Sequence, residues 1–459
     1  MIGLKKKSIK DMTAAEKQYI DLFRDNYDLL CAPASDLLNR HREPAFSRFK
    51  ELGFPVFGSE DYKYTDPAEA FGPDWGVNIN RLDFPVNPYE VFKCDVPNLS
   101  TSLYFMVNDK FYRKETPSAK LPEGVFVGSL NEFATLYPSV AEKYYARIAS
   151  ENDGLVAFNT MMVQDGFVFY VPDKVVVERP VQLVNILRSS IPLLMNRRIL
   201  VILGKHAQAK LLVCDHTMDD EISFLVSQVV EIYAAENAHF DYYELEETSE
   251  NTTRFSSLYL EQAAASNVLV NGITLTNGMS RNNYYVRLNG EYAETNLSGM
   301  AISDKEQHLD TYSHITHAVP HCHSDELFKY VLNDRALGAF SGRILVKEGA
   351  QKTTAYQNNR NLCATREARM YSKPQLEIYA DDVKCSHGMT TGQLDEKALF
   401  YMRSRGIPEA EARMLLMVAF TSDVIDNVRL DALRDRLHKL VEKRFRGELA
   451  KCAGCRICK

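Results

Sequence analysis

Hydrophobic and polar positions divide the chain into three stretches. Near the N-terminus apolar residues recur every three or four positions: Tyr19, Ile20 and Phe23 within 14–30, then Leu37, Leu38, Phe46 and Phe49 within 33–52. That period predicts two amphipathic helices, with Pro44 expected to break or kink the second. A Pro- and Gly-rich stretch over 53–88 follows and holds the single tryptophan, Trp75. From about residue 102 to 387 the pattern changes to short runs rich in Val, Ile, Tyr and Phe. Among them are 103–107, 181–187, 199–203, 224–233, 268–275 and 342–346, separated by Gly, Asn, Asp and Pro. These predict strands, with helical spacing confined to about 130–145 and 325–333. So many strands with so little helix disfavour a doubly wound α/β fold and leave a sandwich, a barrel or a stacked β-solenoid. No sequence period stands out, and the solenoid is preferred by a small margin. The last stretch returns to helix. Asp395 is placed to cap 396–405, which stops at Gly406, and Pro408 opens a second helix over 409–420. Ser422 is placed to cap a third, and 429–449 reads as a fourth. The expected division is an N-terminal helical region (1–97), a strand-rich core (98–392) and a C-terminal helical region (393–459).

Composition narrows the classes. A chain of 459 residues can bury a sizeable core and hold two or three domains. Its 45% hydrophobic and 25% charged residues are ordinary for a soluble globular protein. A net charge of -7 argues against nucleic acid as a partner of the whole molecule. The first twenty residues are basic without an apolar core, so no secretory signal is expected. The longest apolar runs, such as 199–203 and 415–420, are far too short for a membrane span. Of nine cysteines, six are scattered singly, as in the reduced thiols of a cytoplasmic protein. The segment 429–459 carries ten Lys/Arg against four Asp/Glu; a docking surface and a solvated charged helix both fit.

Candidate chemistry begins with what is missing. The single Gly-Lys pair, Gly204-Lys205, lacks the upstream glycine and following hydroxyl of a P-loop, so no ATP is expected on this chain. The signatures GxGxxG, HExxH and GxSxG are absent as well. The most informative segment is 376–392, LEIYADDVKCSHGMTTG. Leu376, Ile378 and Ala380 alternate with polar or aromatic neighbours as in a half-buried strand, and Asp381-Asp382 reads as a corner. Beyond it Val383, Cys385 and His387 fall on one face, with Lys384 and Ser386 on the other. Residues two apart on a strand are spaced by about 6.6 Å, at roughly 3.3 Å each. A thiolate and an imidazole at that spacing can converge on one metal centre, and Lys384 is placed to lower the thiol pKa. Two ligands are too few for a closed site, so others must come from elsewhere. A buried cysteine beside a hydrogen-bonded core histidine is the plainer alternative.

Two further clusters carry metal-ligand residue types. The run 313–324, SHITHAVPHCHS, places His314, His317, His321 and His323 around Cys322, but not at zinc-finger spacing; His321 and His323 would share a strand face with Cys322 opposite. Such density of histidine suggests metal. The tail CxxCxxC of Cys452, Cys455 and Cys458 lacks the fourth cysteine and proline of a ferredoxin run, and offers three thiolates for iron–sulfur or zinc binding.

The segments 379–388 (YADDVKCSHG) and 394–407 (LDEKALFYMRSRGI) resemble the SufD scaffold subunits of iron–sulfur cluster assembly, within the SufB/SufD family. PHCHS at 320–324, GAFSGRI at 338–344, QNNRNL at 357–362, AFNT at 157–160 and YKYT at 62–65 are similar to the same family and keep its order. At Tyr62 the family usually has tryptophan; the family shares Pro-His-Cys at 320–322, so the resemblance implies that 313–324 is a structural rung of the strand region. The resemblance implies a mainly β fold, a right-handed parallel β-helix (β-solenoid) flanked by N-terminal and C-terminal α-helical regions. It implies a heterodimer with a SufB-like subunit, and a SufC-like ABC ATPase docked on the C-terminal helical region; a homodimer is the form open to the chain in isolation. It implies a non-catalytic scaffold on which His387 and Cys385, with Lys384 beside them, hold a transient Fe-S cluster at the subunit interface. Reduced flavin accompanies some complexes of the family, and no residue here marks a place for it. Two rival classes remain on the residues alone. One is a β-helix polysaccharide enzyme using Asp219-Asp220 or Asp381-Asp382; the other is an electron carrier built on the tail.

Overall fold

The computed structural model describes residues 12–91, 101–112, 121–149 and 152–448; Cys452, Cys455 and Cys458 lie outside them. Strands too uniformly apolar for one-sided burial become a stack in which those away from the ends are paired on both edges. The result is a parallel β-solenoid of about eight turns. From Phe167–Val171 onward, consecutive strands are dealt alternately to two ten-stranded sheets. The first sheet runs from Phe126–Ser129 to Arg369–Ile378 and the second from Lys110–Tyr112 to Lys384–Gly392. Antiparallel pairings, Phe126–Ser129 on Phe167–Val171 and Ser102–Val107 on Lys110–Tyr112, occur at the N-terminal end. At the other end Arg369–Ile378 and Lys384–Gly392 are each paired on one edge.

Corner geometry fixes the turns. His206, Asn237, Ala265, Tyr292, His321 and Lys352 adopt left-handed φ between 55° and 62°. Each is followed by a small, buried residue: Ala207, Ala238, Ser266, Ala293, Cys322 and Thr353. The chain turns where a compact side chain can tuck under the next turn. Register partners along one inward column, Leu211, Tyr242, Val270, Leu297, Glu326, Gln357 and His387, stand 31, 28, 27, 29, 31 and 30 residues apart. That irregular spacing is why no repeat is visible in the sequence.

Helices cover the outer faces. Ala14–Asp25 starts in a capping box, Thr13 with Glu16. Its Tyr19 and Phe23 join Phe49, Phe158, Leu194, Leu225 and Phe255 in one apolar cluster on the first sheet. The C-terminal helices Glu409–Asp426 and Asp431–Phe445 place Val424, Ile425, Leu433, Leu437 and Leu440 on Leu245, Ile273 and Met300 of the second. Lys329 Nζ donates to Phe420 O at 2.8 Å, and Arg444 Nη1 pairs with Asp304 at 2.7 Å.

Several expectations are corrected. Pro44 lies inside an unbroken helix, Asp36–Leu52, because burial of Leu37, Leu38, Phe46 and Phe49 outweighs one lost backbone bond. The expected helix at 325–333 is the strand His323–Leu332; its apolar residues match a helical period, but parallel neighbours on both edges decide. Ser422 caps nothing: it lies within Glu409–Asp426 and donates to Val418 O at 3.0 Å. The 14–30 helix divides at Asn26, and the 130–145 helix divides before Pro138. Gly154–Met162, a helix buried on every side, has no polar face for periodicity to reveal.

Candidate functional site

The chain's last turn is built from Arg369–Ile378, a corner at 379–383 and Lys384–Gly392. Alternation on Lys384–Gly392 follows the strand beneath it. Cys385 stands over Ala355 and His387 over Gln357, both buried inward residues, whereas Lys384 stands over Thr354. Cys385 and His387 therefore share the inward face, as the two-residue spacing predicts, and Lys384 faces outward. His387 is exposed although it points along the inward column. Among the described residues no further turn covers it.

Cys385 is half-buried and packs against the solenoid core. Burial pushes its thiol pKa up, and the Ala355 backbone N–H partly opposes this. The expected lowering by Lys384 is not found, because that side chain is exposed on the opposite face and contributes nothing to the shift. Exposed apolar side chains surround the open end: Tyr379 at 63%, Met389 at 47% and Ile378 at 40% of full exposure.

The histidine-rich run does not converge. His317 is buried, with Nε2 2.8 Å from Ser324 Oγ. His314 sits on the outer side of the first sheet, where burial and then Arg343 lower its pKa to about 4. His321 stacks on Tyr292 at a corner, so it does not share a strand face with His323, which meets Tyr356 edge-on. Cys322 fills the small-residue column and donates to Gly290 O at 3.3 Å. Among the described residues no three His, Cys, Asp or Glu side chains are grouped to hold a metal ion. The paired aspartates serve corners: Asp219 Oδ2 accepts from Ser189 N at 2.9 Å, and Asp382 pairs with Lys352.

Glu326 and Gln357, directly behind His387 in the inward column, escape the sequence reading. Reading 325–333 as helix hides that Glu326 points inward. The usable signal is alternation: Ser324, Glu326, Phe328, Tyr330 and Leu332 are all buried and share one face, although Lys329 and Val331 on the other face are buried too.

Comparison with known proteins follows the same lines. Residues 187–420 match the model for the SufBD core domain of SUF system FeS cluster assembly, and 13–183 match the SufBD protein N-terminal region. An iron–sulfur cluster assembly SufBD family protein of Synechocystis is 28% identical over 418 residues, covering 89% of this chain and 91% of that protein. The iron–sulfur cluster assembly protein SufD of Bacillus subtilis is 25% identical over 431 residues, covering 89% and 96%. SufD of Escherichia coli is 32% identical over 216 residues, covering 47% of this chain and 51% of its own length. With both parts of the family matched in order across the helical N-terminal region and the solenoid, this chain belongs to the SufBD family of SUF system iron–sulfur cluster assembly proteins.

Proposed function

We propose that this chain is the SufD-type scaffold subunit of an assembly complex, and that the nascent iron–sulfur cluster, its cargo, is built against the open last turn. The observation that carries this reading is the placement of His387 and Cys385 on the inward face of a turn that nothing in the described chain covers. A solenoid end with unpaired strand edges is a template for further pairing. Here it is ringed by Tyr379, Met389 and Ile378, which suit a second solenoid. Imidazole and thiolate are sound iron ligands. Two of them leave the metal short of a full set, so the SufB-like partner supplies the rest. Iron at Cys385 displaces the thiol proton that burial otherwise holds. Lys384 adds an exposed cation at the rim.

The ATPase belongs to another chain. A SufC-like ABC ATPase docks on the C-terminal helical region, where Phe400 at 73% exposure and Tyr401 stand out from Glu396–Ser404. Its turnover moves the two solenoids and exposes the assembly edge. Flavin enters no step of this reading, and the workplace is the cytoplasm.

The test is anaerobic purification of the tagged chain with its natural partners. Cluster reconstitution on the intact complex is then followed by absorbance and iron content. His387→Ala is expected to lower cluster yield by tenfold or more while the partners still co-purify. Full yield from that variant would remove His387 as a ligand.

A further inference from the structure

The inward column that ends at His387 changes character as it approaches the open end. Leu211, Tyr242, Val270 and Leu297 are followed by Glu326 and Gln357, which are as deeply buried but polar. Gln357 Nε2 donates to Glu326 Oε2 at 2.7 Å. Glu326 Oε1 and Gln357 Oε1 are buried and make no hydrogen bond among the described residues. The facing sheet makes room for this pair: a Cβ on Gly342 would lie 2.4 Å from Gln357 Nε2. A buried carboxyl with one unpaired oxygen is costly in a column where leucine fits one turn earlier.

The charge around Glu326 is one-sided. Leu297 lies behind it, and Phe340 and Gly342 belong to the facing strand. Ser313 is close enough to act on the carboxyl without reaching hydrogen-bond geometry. The charged group acting on it is Asp325, on its own strand. Burial pushes its pKa up to about 7, Ser313 and Gln357 pull it back, and Asp325 adds to the rise. Among the described residues no cation is a source of its shift.

We propose that Glu326 is the proton-linked counter-charge of the assembly edge: its carboxyl is partly protonated while the edge is empty and gives up that proton when iron is held at His387 and Cys385. The inference rests on the reading of that edge given above. The step is Glu326–COOH going to Glu326–COO⁻ with one proton passing to solvent, and no electron moves. The carboxylate so formed offsets one unit of the metal's charge, and Gln357 Nε2 is already aimed at it. Two inter-strand steps of about 4.8 Å separate Glu326 from the edge strand. At that range, through an effective dielectric of about 20, one unit charge changes iron affinity by roughly ten- to twentyfold.

The experiment uses the complex purified with its partners. Ferrous iron is titrated anaerobically between pH 6 and 8, and calorimetry in buffers of different ionisation enthalpy counts the protons released. Near pH 7 the wild type is expected to release up to about half a proton more than Glu326→Gln, since a group with that pKa is half-protonated there. Its iron affinity should also rise about tenfold more than the variant's across the range. Protons from Cys385 and His387 are common to both and cancel. Equal proton counts with iron bound overturn the inference and leave the edge as an iron site; failure of iron to bind either protein overturns both. Infrared difference spectra, wild type minus Glu326→Gln, separate the Glu326 carboxylic C=O band from that of Glu247. The Glu326 band should titrate near pH 7 and fade when iron is added, and a Glu326 band indifferent to iron sinks the proposal.

Discussion

His317 shows what burial does to a single side chain. It lies inside the solenoid, and burial, helped by His323, lowers its pKa to about 4. The unfolded chain therefore takes up the proton first as pH falls below about 6.5, and stability drains away down to about pH 4. A shift of that size is worth about 3 kcal/mol. His317→Asn can retain a bond to Ser324, and urea denaturation should show it losing about that much less than the wild type between pH 6.5 and 4. His216, also lowered to about 4 by burial, adds to the same acid limb. Glu247 and Glu326, raised to about 7 by burial, act the other way. Their stabilisation is present below about pH 4.5 and is lost as pH rises through 7. Arg254 is the most constrained charge. It is buried against Glu244, Glu246 at 3.2 Å and Asp215 at 3.3 Å, inside the solenoid. Removing it leaves Glu244 and Glu246 buried without this cation, Asp215 keeping Arg197 at 2.6 Å, so Arg254→Met should lower the unfolding free energy by about 3–5 kcal/mol in chemical denaturation.

Among elements, close approach decides which substitutions are tolerated. The buried helix Gly154–Met162 docks so near the C-terminal end of the helix Asp36–Leu52 that a Cβ on Gly154 would sit 1.8 Å from Gly53 O. Backbone cannot yield as a side-chain tip can. Gly154→Ala is expected to cost about 3 kcal/mol or more, read as a lower melting temperature with strand content retained by circular dichroism. The capped helices were readable because their signals are local: Asp395 accepts from Lys397 N and Ala398 N, and Pro408 precedes Glu409–Asp426 as expected. The strand His323–Leu332 was misread because its stabilising partners, Glu294–Ser303 and Thr354–Cys363, are about thirty residues away on either side.

For the whole molecule the asymmetry of the two solenoid ends matters most. One end carries antiparallel pairings, and the other leaves two strand edges open beside exposed Tyr379 and Met389. The N-terminal region reaches along the outside toward that open end: Arg281 donates to Asp61 O at 2.7 Å and pairs with Asp310 at 2.6 Å, and Tyr64 stacks on Tyr371 with centroids 4.2 Å apart. Met389→Glu places a charge on the open inward face, which no further turn covers among the described residues. It should leave the melting temperature of the isolated chain unchanged and weaken association with the proposed SufB-like partner by tenfold or more, measured by interferometry. Unaltered affinity would place the partner elsewhere on the molecule.

The sequence by itself determined the helix–strand–helix order, the capped C-terminal helices, and the shared face of Cys385 and His387, because caps and two-residue alternation act over a few residues. Motifs such as KCSHG at 384–388 also carried the family resemblance that the comparisons bear out. Tertiary structure alone decided the rest. It set turns of uneven length, kept Pro44 in a helix, made 323–332 a strand, and put Glu326 and Gln357 behind His387. It also spread the histidines of 313–324 over separate surroundings and raised the Cys385 thiol despite the adjacent lysine. Each of these depends on burial and on neighbours about thirty residues distant, and neither is encoded in any local run of the chain.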